Sequence, residues 1–256
     1  MREVNAGKHS KKKKKTFLNI AIIACALGAV ICVGILLSSH FEYKKGDNLM
    51  DGMTQYVSTP QGSNGANETL TVDYDALAAI NPDFIGWLYL DGTVINYPVV
   101  QGEDNTYYLN HVFEGEQHKY GSIFMDSRNH ARFWDTNTVI YGHRMNSGAM
   151  FGSLIEYKNQ EYYDQHPVFM LYTKEQIYRL EVFAAYEIDA KMENVPFNFT
   201  TDEAYRAYLD SAMEQSDIQT GVSVDVTERI VTLSTCTKTS QSKRFIVQAK
   251  LVAVSE

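Results

Sequence analysis

The sequence predicts a mainly β domain with flanking helices, an α+β closed or nearly closed barrel of eight short strands, preceded by an N-terminal transmembrane helix. Three observations carry this prediction. One long apolar run lies close to the N-terminus, eight strand-length segments with turn signals between them follow, and two stretches of helical period interrupt those strands.

The apolar run is Phe17 to Leu37, 21 residues in which Asn19 alone is strongly polar. At about 1.5 Å per residue, a helix of that length crosses the roughly 30 Å hydrocarbon layer of a bilayer. A cleaved signal peptide is the other reading, but signal cores run to about 7–15 residues, and no Ala-x-Ala-like site follows Leu37. Lys11 to Lys15 directly precede the run, and the bias of basic residues toward the cytoplasmic side places the N-terminus inside and everything after about Ser39 outside. Four segments are therefore expected: a cytoplasmic basic segment at 1–15, a transmembrane signal-anchor at 16–38, a juxtamembrane segment and flexible spacer at 39–69, and an extracytoplasmic domain at 70–256. The spacer reads most clearly at Ser58 to Asn67, a Pro, Gly, Ser and Asn stretch with nothing to bury.

Within the domain, Asp73 or Asp75 is placed to cap a short helix containing Leu77 and Ile80, which stops before Asn81-Pro82. Phe84 to Leu90 and Thr93 to Val99 flank Asp91-Gly92, a hairpin signal. Further strands are expected at Gly121 to Met125, Thr138 to Tyr141, Val168 to Tyr172, Ile177 to Ile188, Arg229 to Thr235 and Arg244 to Val254. One helix is expected around Ala149 to Tyr157. A second is expected around Asp202 to Gln215, with Ala204, Tyr208, Leu209 and Met213 as its buried stripe.

Charge excludes one class of partner. The chain of 256 residues carries a net −8, but residues 1–45 hold nine basic and two acidic side chains, leaving 14 basic against 29 acidic in the remainder, a net −15. A body this acidic lacks the Lys and Arg clusters that phosphate contacts need, so no nucleic-acid partner is expected. Cys25 and Cys32 fall in the apolar run, which leaves Cys236 as the one thiol of the domain and excludes a disulfide framework or a cysteine-based zinc site there. No Gly-rich phosphate loop, His-Glu-x-x-His pair or Gly-x-Ser-x-Gly elbow is present, so neither a cofactor nor a metal is expected.

Three residues could do chemistry. Cys236 ends the run Thr232-Leu233-Ser234-Thr235-Cys236, where a buried inert thiol competes with a reactive one. The polar sequence after it, and Lys238, Lys243 and Arg244 nearby, favour a thiolate. Arg244 opens the last strand eight residues on. Strands joined by the polar turn Lys238 to Ser242 can pair and bring Arg244 within reach of Cys236, although a solvated arginine at a strand end fits the same spacing. His143 follows a strand directly, whereas His111, His118, His130 and His166 sit in polar or Pro-containing loops. A separation of 93 positions from His143 to Cys236 neither supports nor forbids a pairing.

The run Thr232 to Cys236, followed by Arg244 in Lys-Arg-Phe-Ile-Val-Gln-Ala-Lys-Leu, resembles the signature around the active cysteine of the sortases, membrane-anchored transpeptidases of Gram-positive bacteria. Tyr141-Gly142-His143 resembles that family's histidine segment. Asn81 to Trp87, Gly121 to Asp126 and the helix at Asp202 to Gln215 resemble its class B subgroup. The resemblance covers about residue 70 to the end and implies an eight-stranded sortase barrel at 70–256. It implies Cys236 as nucleophile, His143 as proton donor and acceptor, Arg244 as the group steadying the oxyanion, and Thr235 and Ser234 as lining the substrate groove. It also implies secreted proteins with a C-terminal sorting signal as substrates, of the Asn-Pro-x-Thr kind in many class B members. Peptidoglycan or its lipid-linked precursor is then the amine acceptor, and the plasma membrane is the site of anchorage. Thr237 after the cysteine and the short loop to Arg244 leave the motif itself open. A thiol protease using water and a non-catalytic surface-binding module are the competing readings.

Overall fold

Eight strands close on themselves in the computed structural model, which describes residues 4–58, 70–192, 195–236 and 242–254. The strands are β1 (Phe84–Tyr89), β2 (Asn96–Val100), β3 (Ile123–Met125), β4 (Asn137–Tyr141), β5 (Val168–Tyr172), β6 (Ile177–Asp189), β7 (Ile230–Cys236) and β8 (Lys243–Ala253). Around the barrel they run β8-β6-β5-β1-β2-β3-β4-β7, and β7 pairs with β8 to close it. Two neighbour pairs, β2 with β3 and β4 with β7, are parallel. All eight strands fall where the sequence expects them. The β1–β2 turn differs at its far side: Thr93 donates its hydroxyl to the Leu90 carbonyl, and Gly92 holds φ +69, so Thr93 and Val94 belong to the turn and β2 begins at Asn96.

The chain divides into two compact units, Met1–Asn48 and Leu49–Glu256. Helix α1 runs from Val4 to Met53 and is long and apolar enough to cross a membrane. Along it Ile22, Leu27, Ile31 and Leu36 are all more than half exposed. A helix apolar on every side has no aqueous face, which is the pattern of a span rather than of an amphipathic surface helix. The expected spacer lies, apart from Ser58, outside the described residues.

In the second unit, Met53 joins Leu70, Val72, Leu77, Trp87 and Phe124 in one buried cluster, and Val57–Ser58 pairs with Thr71–Val72. Helix α2 (Tyr74–Ile80) is capped by Asp73, whose carboxylate accepts from the Ala76 amide at 3.0 Å, and it buries Leu77 completely. Asn81 ends it and ties the exit to the barrel by donating to Tyr108 Oη and to the Phe113 carbonyl, both at 2.9 Å.

Two helical readings shift in the structure. The segment expected as an α-helix at Ala149 to Tyr157 is a 3-10 helix, Gly152–Lys158. Met150 takes φ +56, which breaks an α-helical run at its start, and Leu154 and Tyr157, three apart, become its buried residues. A short helix α3 (Gln160–Gln165), capped by Asn159, follows. Helix α4 (Asp202–Gln215) is capped by Thr201, whose hydroxyl accepts from the Ala204 amide. Its buried face, however, is Tyr205, Leu209 and Ala212, with Ala204 and Met213 exposed. The phase is set by the larger aromatic, because Tyr205 buries far more apolar area than Ala204.

The face beneath α4 explains why β7 and β8 look polar in sequence yet lie buried. Phe183, Tyr186, Ile230 and Ile246 pack under Tyr205 and Leu209. Phe183 is there because a bulge at that residue interrupts the β6–β8 register, which steps from Gln248/Ala184 to Ala249/Val182. Among these apolar groups the carboxamide of Gln248 donates to Tyr208 Oη at 2.7 Å and to Thr232 Oγ1 at 3.0 Å, and accepts from Tyr186 Oη at 3.2 Å. Thr232 in turn donates to Asn137 Oδ1 at 2.8 Å. Burial pushes the phenols of Tyr186 and Tyr208 up, so both remain protonated. Gln248→Leu would strand these partners without water. Each unpaired buried group costs about 1–3 kcal/mol, so the variant is expected to lose about 2–4 kcal/mol, read as a lower denaturation midpoint at an unchanged m-value.

Candidate active site

Parallel pairing of β4 with β7 puts the C-terminal ends of both strands at the same end of the barrel, where β8 begins. The chain leaves β4 as Tyr141-Gly142-His143, and the Gly142 amide donates to the Ser234 carbonyl of β7 at 3.2 Å. On the other side of β7 the ladder pairs Ser234 with Ile246 and Cys236 with Arg244. These ends surround a cleft of about 320 Å³ lined by His143, Ser234, Thr235 and Arg244 together with Asn105, Leu109, Phe124, Tyr141, Gly142 and Ala190. Four of the five residues expected at the site therefore share one cleft, and the fifth, Cys236, ends β7 as the register partner of Arg244.

The histidine is held from two directions. Its Nε2 lies 2.6 Å from the Leu109 carbonyl oxygen. A carbonyl only accepts, so Nε2 carries a hydrogen, and Nδ1 is the nitrogen left to take up and release a proton. Its own carbonyl accepts from the Phe151 amide at 2.9 Å. Other described histidines are packed on aromatic rings: His111 on Tyr107, His118 on Tyr120, His130 on Trp134 and His166 on Tyr162.

Lys238 lies outside the described residues, and Lys243 is engaged elsewhere, with Nζ 2.8 Å from Glu187 Oε1. Hydrogen bonds from Lys243 and then Lys158 hold the Glu187 carboxyl below its usual range. Arg244, half-buried, is the basic side chain that lines the cleft. Ser234 and Thr235 are buried, and Thr235 Oγ1 has no hydrogen-bond partner among the described residues.

A sortase domain matches residues 88–252 of this chain. The chain belongs to the sortase family. Over 245 residues it is 34% identical to sortase B of Staphylococcus aureus, a match covering 95% of this chain and 100% of the relative. A solved Bacillus anthracis structure, described as similar to sortase B, aligns with TM-score 0.73 and 35% identity over 84% of this chain and 99% of that one. The Staphylococcus aureus sortase B–substrate complex aligns with TM-score 0.68 and 41% identity over 71% of this chain and 85% of that one. These relatives place it with the class B sortases, which are cysteine transpeptidases.

Sequence reasoning missed much of the wall of this sortase's cleft. Asn105, Leu109 and Ala190 sit in connections with no periodicity or motif, and only closure of the barrel brings them beside His143. Gly142 carries a signal that the sequence does not expose. A Cβ there would stand 2.5 Å from Ile123 Cδ1 and 2.7 Å from the Phe151 ring. Gly142→Ala is therefore expected to push the neighbouring imidazole off its seat, with a cost of about 1–3 kcal/mol for overpacking. Sortase turnover should fall at least about tenfold from loss of positioning, as checked by peptide-cleavage kinetics beside a thermal melt.

Proposed function

We propose that this sortase cleaves a C-terminal sorting motif of secreted proteins, of the Asn-Pro-x-Thr kind, and transfers them to an amino group of the cell wall. Peptidoglycan or its lipid-linked precursor is the acceptor. The observation that carries this reading is the β7–β8 register that sets Cys236 opposite Arg244, beside the cleft that His143 lines. In support, the Staphylococcus aureus relative has been captured with a substrate. In the reading, residues 16–38 anchor the chain with residues 1–15 in the cytoplasm, and residues 70–256 form the catalytic domain outside, where secreted proteins meet the wall. The basic run Lys11 to Lys15 supports that orientation.

The chemistry then runs in two acyl transfers. The Cys236 thiolate attacks the carbonyl of the motif's threonine, and the guanidinium of Arg244 stabilises the charge that gathers on the carbonyl oxygen. Collapse breaks the peptide bond, His143 gives a proton from Nδ1 to the departing amine, and the acyl group remains on sulfur as a thioester. An incoming amine attacks that thioester, its proton passes to His143, and the thiolate leaves. Thr235 and Ser234 line the groove beside the acyl group, and the unsatisfied Thr235 hydroxyl supports a role in holding the peptide.

The full chain in detergent, given a fluorogenic Asn-Pro-x-Thr peptide with and without an amino-acid nucleophile, is expected to yield amine-dependent product. Product formed with water as sole acceptor would instead indicate a thiol protease. Cys236→Ala should abolish turnover and the covalent adduct seen by mass spectrometry. His143→Ala and Arg244→Ala should each lose at least about 100-fold, the scale of a lost acid–base group or oxyanion donor. Rates within a few-fold of the parent would remove the residue concerned from this scheme.

A further inference from the structure

Behind the strand end that presents Arg244 lies a cluster of charges that the acyl-transfer scheme does not use. Side chains alternate along β8, so Lys243 and Phe245 share one face while Arg244 turns to the other, where the cleft lies. Glu187 of β6 stands opposite Phe245 in the ladder and therefore on the face away from the cleft. Its carboxylate holds two lysines: Oε1 lies 2.8 Å from Lys243 Nζ, and Oε2 lies 3.1 Å from Lys158 Nζ. The Lys158 ammonium also sits over the Phe245 ring, 5.5 Å from its centroid. One cluster thus grips both chain neighbours of Arg244.

Lys158 ties this cluster to the histidine. It ends the 3-10 helix Gly152–Lys158, whose Leu154 and Tyr157 are fully buried, and the Tyr157 hydroxyl donates to the His166 carbonyl at 2.6 Å. Just before that helix, the Phe151 amide donates to the His143 carbonyl at 2.9 Å. A packed segment therefore braces His143 at one end and holds the start of β8 at the other. The β6–β8 pairing itself runs one step past Lys243, where the Ala190 amide donates to the Ser242 carbonyl at 2.6 Å.

The three charged side chains are between 23% and 49% exposed, and ion pairs so placed add little to global stability. Strand ends open far more readily than strand middles, so a weak tie acts most strongly there. We infer that Glu187 is a positioning residue for Arg244: by binding Lys243 and Lys158 together it keeps the first residues of β8 seated against β6 and against the segment that braces His143. The guanidinium and the imidazole then keep a fixed separation across the cleft. The inference rests on the function proposed above, in which Arg244 steadies the oxyanion, and adds to it the group that keeps Arg244 in place.

The test uses the full chain in detergent, assayed with the fluorogenic Asn-Pro-x-Thr peptide plus an amine and, separately, by hydrogen exchange of the β8 amides. Glu187→Gln keeps the size and removes the charge. It is expected to speed exchange several-fold at residues 243–247 while the Leu251 end stays as in the parent. It should lower kcat about fivefold with a smaller change in KM, the pattern of a misplaced transition-state group, and leave the thermal midpoint nearly unmoved. Lys158→Gln should reproduce both changes. In salt of about 1 M, where the Debye length is about 3 Å, the parent's kcat should fall toward that of Glu187→Gln while the variant responds little. In an Arg244→Ala background, Glu187→Gln should cost nothing further, because it acts through that side chain. A merely structural role would lower the midpoint, speed exchange along the whole of β8 and multiply with Arg244→Ala. That pattern, parental exchange at residues 243–247, or a parental kcat in Glu187→Gln would overturn the inference. A parent that fails to cleave the peptide would count against the proposed function, and the exchange measurement then decides this inference by itself.

Discussion

The ladder between β7 and β8 is the constraint on which both the closure of the barrel and the arrangement of the site depend. It is the last pairing that closes the sheet, and it carries Thr232 opposite Gln248 and, four residues further along both strands, Cys236 opposite Arg244. A slip of one residue would turn every side chain of a strand to its other face. Apolar residues alone guard poorly against such a slip here, because Phe245, Ile246, Val247 and Ala249 are buried on both faces of β8. The polar pair does guard against it, since Gln248 meets Thr232, Tyr186 and Tyr208 together in only one register. A buried carboxamide under α4 thereby specifies which residue stands across from the cysteine.

The second constraint is the direction of the strands. Because β4 and β7 run parallel, residues that follow one and end the other emerge at the same end, although His143 and Cys236 lie 93 positions apart. The connection between them includes β5, β6 and α4, and none of its local signals states which strands will be neighbours. Parallel pairing is a long-range property of the closed sheet, and spacing along the chain carries no trace of it.

This separates what was legible from what was not. Strand positions could be read because turns and apolar runs are local, and Asp73 stood as one of two cap candidates for α2 because a cap acts within one helical turn. The phase of α4 could not, since the choice between Ala204 and Tyr205 depends on Phe199 and Ile230, which lie against Tyr205 only in the folded domain. Met150 at positive φ likewise has no signature that separates it from a helical methionine. For the site, Cys236, His143 and Arg244 stood out by strand-end position and by resemblance, whereas Asn105 and Leu109, the latter ending a short 3-10 turn, lie in the connection between β2 and β3 and reach the cleft only through what the barrel sets beside them.

The polar atoms of the cleft share one design. Leu109 offers a carbonyl that takes the Nε2 hydrogen of His143, and Asp126 offers a carboxylate that takes the hydroxyl proton of Tyr141. In each case an acceptor on the protein side fixes the direction of one polar hydrogen in the cleft wall. Groups fixed in this way need not reorient when a ligand arrives, so less binding energy is lost to reorganising the wall. The acceptors themselves never have to touch the substrate. For that reason they are invisible to a search for reactive residues and become apparent only when the hydrogen bonds behind the wall are followed inward.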